Sequence, residues 1–235
     1  MAKPKDEKVM LAEHTLEVRH SASGTFLDVR GYVADYIRQE GFFPHWQIDA
    51  NVVNFRDESS SVKSEGAFVG YKSAGYVALN PQTRNYFPDR ASSFWKLMLK
   101  NIHYKIPNPT RFGARTKVFV PSKSSFDEIN KTLYETFFTE NARSLIGGKE
   151  MDLQFTVDLK EDAFHVHLMG GPIHEDEAGR YFQFKSDFFK QSGLFLDMDF
   201  YKTDELSLTD IPALLRKAVD LTWHKAELIA SSIGL

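Results

Sequence analysis

The feature that most constrains the fold is a restart in the pattern of the chain after Pro107, Asn108 and Pro109. Before these prolines, periodicity predicts strands over 14–20, 46–55, 67–72 and 76–80, and helices over 26–39 and 90–104. After them it predicts strands over 111–120, 151–159, 163–169, 180–185 and 194–201, and helices over 126–146 and 210–232. Proline ends helices, so this segment is a natural boundary. The element order is therefore β-α-β-β-β-α followed by β-α-β-β-β-β-α.

This order predicts an α+β protein made of two similar halves, each an antiparallel sheet covered by helices on one face. The predicted divisions are a flexible leader over 1–12, a first half over 13–106, and a second half over 107–235 that ends in a long helix. The alternative is a single continuous sheet with helices on one side. With 20 Phe and 42% hydrophobic residues, the chain has enough apolar side chains for a substantial core.

Composition excludes several classes of protein. The chain has no Cys, which removes disulfides, thiolate metal sites and Cys nucleophiles. The first residues include no apolar segment typical of a signal peptide, and no uncharged apolar run approaches the roughly 18 residues that span a bilayer. We therefore expect a cytoplasmic protein without membrane contact. No cofactor motif is found, so we expect no cofactor.

Charge is distributed unevenly along the chain. Residues 84–123, which we call the basic band, contain nine Lys and Arg against a single acid, Asp89, whereas the whole chain has a net charge of -3. The band therefore carries +8 and the remainder -11. Such a concentration of positive charge within an acidic chain is typical of a surface that contacts an acidic partner.

Six side chains of the basic band fall on polar faces of predicted elements. Three share one face of a helix and three share one face of the following strand, according to the helical and strand periods. They are Lys96, Lys100 and His103 on the helix, and Arg111, Arg115 and Lys117 on the strand. If the two elements lie side by side, these residues form one patch for an acidic protein surface, DNA or RNA. The alternative is a solvated face that acids from elsewhere in the fold neutralise.

A second group of polar residues suggests a metal site. His165 and His167 alternate on a strand and project to the same face, as a metal-chelating pair does, and His174 follows in a turn. Asp197 and Asp199 form a similar pair on the last predicted strand. In a simple meander the strand over 180–185 separates these pairs by roughly 10 Å, which is too far for one metal centre. A polar, solvated sheet face is the alternative interpretation.

Three stretches together resemble a known family. They are VALN-PQTRNYFPDRASSFW over 77–95, RFGARTKVF over 111–119, and LFLDMDFY from Leu194 followed by HKAELIASSI from His224. In this order they resemble a sporadically distributed family of bacterial proteins without assigned activity, some of which are found among anti-phage defence genes. The sequence departs from the family pattern at Thr116 and Lys117, where an aromatic residue and Asn are expected. The resemblance implies a small accessory subunit that works beside an ATPase or nuclease.

These observations favour a non-enzymatic accessory subunit of a bacterial complex. It contacts an acidic protein partner or nucleic acid through the basic band. The alternative is a metal-dependent hydrolase built on the His-x-His strand. A third hypothesis, a sensor with a small-ligand pocket between the halves, has no specific motif behind it.

Overall fold

The computed structural model describes residues 9–57 and 64–235, and within them it has five α-helices and one antiparallel sheet of nine strands. The α+β prediction is confirmed. Most of the predicted leader, residues 1–8, lies outside the described residues, and the first strand begins at Leu11. No helix in the described ranges has the length and apolar character needed to cross a membrane.

Up to the prolines the structure has one strand more than predicted, because the predicted strand over 46–55 is a hairpin of two strands, His45–Ile48 and Val52–Arg56. Residues before the prolines form β1 Leu11–His20, α1 Gly24–Gln39, β2 His45–Ile48, β3 Val52–Arg56, β4 Glu65–Gly70, β5 Ser73–Leu79 and α2 Tyr86–Lys100. Later residues form β6 Pro109–Pro121, α3 Phe126–Phe137, α4 Glu140–Ile146, β7 Phe155–Glu161, β8 Phe164–Ile173, β9 Gly193–Lys202 and α5 Ile211–Ser232.

The strands join into one continuous sheet, which is the alternative that the sequence left open. Their spatial order is β2-β3-β4-β5-β1-β6-β9-β8-β7. The centre of the sheet is the antiparallel pair β1 and β6, in which Thr15 lies opposite Arg115. These two strands are the long ones that begin the two segments of the chain on either side of the prolines.

The helices cover one face of this sheet. On β6, Phe112, Ala114 and Val118 are buried in the main core together with Trp95 of α2 and Ala218 of α5. The same core includes residues of α1 and α3. Because strand side chains alternate between faces, the residues between these core positions project to the opposite side. No α-helix of the described chain packs there, and we call this side the open face.

Two sequence predictions fail in the later segment. The predicted helix over 126–146 is two helices, because Phe138 leaves helical geometry and the Thr139 side chain caps α4. The predicted strand over 180–185 does not form. Its alternation comes from Phe182 and Phe184, which pack against Phe189 in a small aromatic cluster rather than along a strand. The later segment therefore has one strand fewer than predicted.

Candidate functional site on the open face of the sheet

The structure does not bring the six predicted contact residues into one patch. Arg111, Arg115 and Lys117 lie on the open face, since they alternate with the core residues of β6. Lys96 and Lys100 project into solvent from α2, which packs on the other side of the sheet. The helix period and the strand period each give the correct outward face. The two outward faces point in opposite directions because the sheet separates them.

The residues on the helix side form a small exposed surface. Lys96 and Lys100 have no ion-pair partner within residues 9–57 and 64–235. His103 stacks on Tyr32 of α1, with 5.2 Å between ring centroids, and Ile102 beside it is strongly exposed. The predicted helix over 90–104 ends at Lys100, so His103 lies in the segment after the helix and not on it. The Asn101 side chain accepts hydrogen bonds from the backbone of this segment.

The three cations of β6 are each paired with an acid from a neighbouring strand. The Arg111 guanidinium donates to Asp199 at 2.7 Å. Arg115 donates two hydrogen bonds to Asp197, one of them at 2.8 Å, and this contact raises the pKa of Arg115. Lys117 donates to Glu13 of β1 at 2.9 Å. The acids that balance these cations thus come from β1 and β9, which flank β6 in the sheet.

Two further members of the basic band are paired on the helix side of the sheet. Arg84 contacts Glu227 of α5. Arg90 donates to Glu65, a buried carboxylate of β4 that also accepts hydrogen bonds from Tyr76 and Tyr86. The Glu65 contact raises the pKa of Arg90, and burial raises the pKa of Tyr76. Much of the band's positive charge is therefore neutralised inside the fold.

A cavity of about 290 Å³ opens on the open face over β1 and β6. Thr15 and Gly113 form its floor, and charged side chains of the central strands surround it together with Phe68. A Cβ atom at Gly113 would overlap Nη1 of Arg111 in the position that this side chain adopts. The missing side chain lets the guanidinium lie across the strand and reach Asp199.

One end of the open face is covered by residues 174–192, which we call the strap. Its Phe182 and Phe189 pack with Phe119 and Phe195 of the central strands. The backbone N–H of Gln183 donates to Glu13 at 2.7 Å, and Lys117 also donates to a strap carbonyl. Glu13 is consequently almost completely buried. Sequence reasoning missed Glu13, although its position in the alternation of β1 placed it on this face.

The predicted metal ligands are not assembled. His165 stacks on Tyr201, and His167 contacts the Asp158 carboxylate at 2.7 Å. His174 stacks on Phe126 at the far end of β8, seven residues from His167 and therefore about 23 Å along the strand. Within the described ranges, no group of three or more His, Asp or Glu side chains is arranged to hold a metal ion.

The predicted separation of the His and Asp pairs is also wrong. Without a strand over 180–185, β8 pairs directly with β9, and His167 lies opposite Asp199. Arg111 lies over the Tyr201 ring at 5.0 Å, so it contacts both the aromatic and the acidic residues of β9. The His pair and the Asp pair therefore lie on adjacent strands. Together with Arg111 and Arg115 of β6 they form one continuous polar area on the open face.

Behind the cavity floor, on the helix side, lies a buried histidine that the sequence did not single out. His14 is fully buried, stacks on Phe87 at 4.8 Å, and contacts Thr116 Oγ1 through Nδ1 at 2.9 Å. Burial lowers the pKa of His14 to about 3, so the ring is neutral near neutral pH. Its place in the alternation of β1 was visible in the sequence.

No protein-family model matches this chain, and no match is found among the curated proteins. The resemblance to a family of bacterial proteins stays a prediction.

Proposed function

We propose that this protein is a non-enzymatic interaction subunit that binds an acidic partner protein on the open face of its sheet. The observation that carries the proposal is the unequal exposure of two of the charge pairs on that face. The Arg115 side chain is 54% exposed and its partner Asp197 is 8% exposed, while Arg19 is 57% and Glu17 is 29% exposed. In these two pairs the cation projects outward and the carboxylate lies beneath it, whereas Arg111 and Asp199 are about equally exposed, at 20% and 25%.

Such an arrangement favours a protein partner over nucleic acid. The carboxylates fix the orientation of the guanidinium groups, which reduces the entropy lost when a partner carboxylate binds. A nucleic acid would approach the same cations, but the acids of β1 and β9 beside them would repel its phosphates. Nucleic-acid binding depends on Lys and Arg that displace the counterions of the phosphates, and neighbouring acids oppose this. The mixture of both signs supports recognition of a protein surface with its own pattern of charges.

We further propose that the chain consists of two similar halves, which meet at β1 and β6. Each half begins with its central strand, continues with a helix, and ends with a helix after its last strand. Outward from the centre, the strand order is β1-β5-β4-β3-β2 in one direction and β6-β9-β8-β7 in the other. This order supports an approximate two-fold axis between β1 and β6, close to the cavity.

The role beside an ATPase or nuclease, and a place in anti-phage defence, rest on the family resemblance alone and belong to the same proposal. An accessory subunit requires a stable contact surface. The open face is large, preorganised by ion pairs and, in the described chain, free of α-helices. The contacting residues in this proposal are foremost Arg19 and Arg115, while Arg111 and Lys117 are each 20% exposed and lie at the edge of the contact.

The test is co-purification from native cells with a matched pair of variants. Arg19→Ala with Arg115→Gln removes two outward cations of the open face, and the introduced glutamine retains hydrogen bonding to Asp197. Lys96→Ala with Lys100→Ala removes two unpaired cations from the helix side. We expect only the open-face variant to lose its protein partner. Retention of the partner by that variant, or its loss from the helix-side variant instead, contradicts the proposal.

Nuclease treatment separates the two classes of partner. A bound protein that remains after digestion supports direct protein recognition, whereas captured DNA or RNA whose loss releases the protein supports a nucleic-acid bridge. Circular dichroism and urea unfolding of both double variants check that the fold is intact.

A further inference from the structure

Strand β7 is an exposed edge of the sheet. It pairs with β8 on one side, and no strand of the described chain lies on its other side. It is seven residues long, whereas β2 at the opposite edge has four. An edge strand presents unpaired N–H and C=O groups, which are suited to pairing with another strand.

The hairpin geometry identifies which backbone groups face outward. Glu161 lies opposite Phe164, so the β7–β8 loop contains only Asp162 and Ala163, and Asp162 has a φ of 50°. In a two-residue hairpin the closing pair exchanges its hydrogen bonds, and every second pair along the ladder does the same. Residues 156, 158 and 160 therefore direct their N–H and C=O groups away from β8.

Apolar side chains adjoin this edge on the helix side. Val157 and Leu159 are 39% and 37% exposed, although they point toward the helix-covered face. Phe137 at the end of α3 stacks on Phe155 with 4.8 Å between centroids and is itself 43% exposed. The edge thus combines unpaired backbone groups with apolar surface that the single chain leaves uncovered.

We propose that β7 pairs with β7 of a second copy of this chain, antiparallel about a two-fold axis through Leu159. This register places Asp158 opposite Lys160 of the second copy, and Lys160 opposite its Asp158. Both residues are exposed on the open face. Two ion pairs form reciprocally, and Leu159 meets its own counterpart on the helix side. The sheet then continues from one copy into the next.

Charge complementarity selects both the occupant and the register. Moving the axis to residue 158 places Asp158 opposite Asp158 of the other copy, which is repulsive. An antiparallel copy of the same strand supplies both complementary charges at reciprocal positions, as a two-fold interface requires. Charged residues on an edge also serve to prevent pairing in some proteins, and that role predicts a monomer.

The experiment measures self-association of the full chain by sedimentation velocity, with charge reversals on β7. Lys160→Asp places two acids opposite each other at each former ion pair, and Asp158→Lys places two lysines there. We expect each variant alone to dimerise at least about tenfold more weakly than wild type. An equimolar mixture of the two is expected to form a heterodimer, since the introduced lysine of one chain then faces the introduced aspartate of the other. Native mass spectrometry identifies the mixed species.

The control is Lys131→Asp, which reverses the charge of an exposed lysine on α3 and not on β7. We expect this variant to dimerise as wild type does. A monomeric wild-type protein overturns the proposal, as do single variants that dimerise normally. Monomeric single variants that fail to form a heterodimer when mixed overturn the register.

Discussion

His14 makes stability depend on pH in a direction and by an amount that follow from its burial. The ring lies between β1 and the helix layer, where Phe87 and Trp223 pack against it. Among the described residues no acid forms an ion pair with it, and Thr116 supplies the contact to Nδ1. Protonation in the folded protein therefore places a charge in an apolar site, which is why burial lowers the pKa of His14 to about 3.

The magnitude follows from the difference between the folded pKa and the ordinary value of 6.5. Between about pH 6.5 and pH 3 the unfolded chain binds a proton at this site and the folded protein does not, so stability falls as pH falls. Each pH unit in this window corresponds to about 1.4 kcal/mol. Lowering the pH from about 7 to about 5 therefore removes roughly 2 kcal/mol of unfolding free energy.

Urea unfolding at the two pH values measures this difference. His14→Gln removes the titrating group, and we expect the loss of stability between the two pH values to shrink by roughly 2 kcal/mol relative to wild type. Exposed His45 offers a control, since His45→Gln should leave the pH dependence unchanged. A slope remains in the His14 variant, because burial also lowers the pKa of His20. Equal pH dependence in wild type and His14→Gln refutes the reasoning.

Two further predictions concern buried contacts and are checked by urea unfolding near neutral pH. Glu65→Gln deprives the half-buried Arg90 of its carboxylate and should cost about 2–4 kcal/mol, while Asp35→Asn in an exposed ion pair should cost less than about 0.5 kcal/mol. Gly75→Ala should destabilise by about 2 kcal/mol or more, because its Cβ would overlap a backbone oxygen of the neighbouring strand. Gly31→Ala, in open space on α1, should stabilise by about 0.5–1 kcal/mol. The argument is contradicted if Glu65→Gln costs no more than Asp35→Asn, or if Gly75→Ala and Gly31→Ala change the free energy of unfolding equally.

The apolar period of a segment depends mainly on whether that segment itself is a helix or a strand, and for this reason periodicity predicted most elements. The helices at 24–39 and 211–232, and the central strands at 11–20 and 109–121, agree closely with the predicted ranges. Periodicity failed at 180–185, where alternating Phe182 and Phe184 satisfy a local cluster instead of a sheet. The same alternation of apolar side chains arises in both situations, so the pattern could not distinguish them.

The candidate site was only partly predictable, because its properties depend on contacts between distant parts of the chain. The sequence identified Arg115 and Asp197 as outward-facing residues of different strands, but their hydrogen bonds join positions 82 residues apart. The periods identify the polar face of each element, but not whether the helix lies beside the strand or packs on its apolar face. Because α2 packs on the apolar face of the sheet, Lys96 and Arg115 lie on opposite sides of it.

The central pairing of β1 with β6 has a consequence for the order in which the chain folds during synthesis. Strand β1 is made first and pairs with β5, in which Val77 lies opposite Thr15, but the residue opposite Thr15 on its other edge is Arg115. Until the ribosome has released β6, the nascent chain therefore carries a long strand with one unsatisfied edge. Pairing over such a sequence separation is slow and exposes the chain to aggregation. The edge of β1 that lies in the middle of the finished sheet therefore stays unpaired during synthesis until β6 is available.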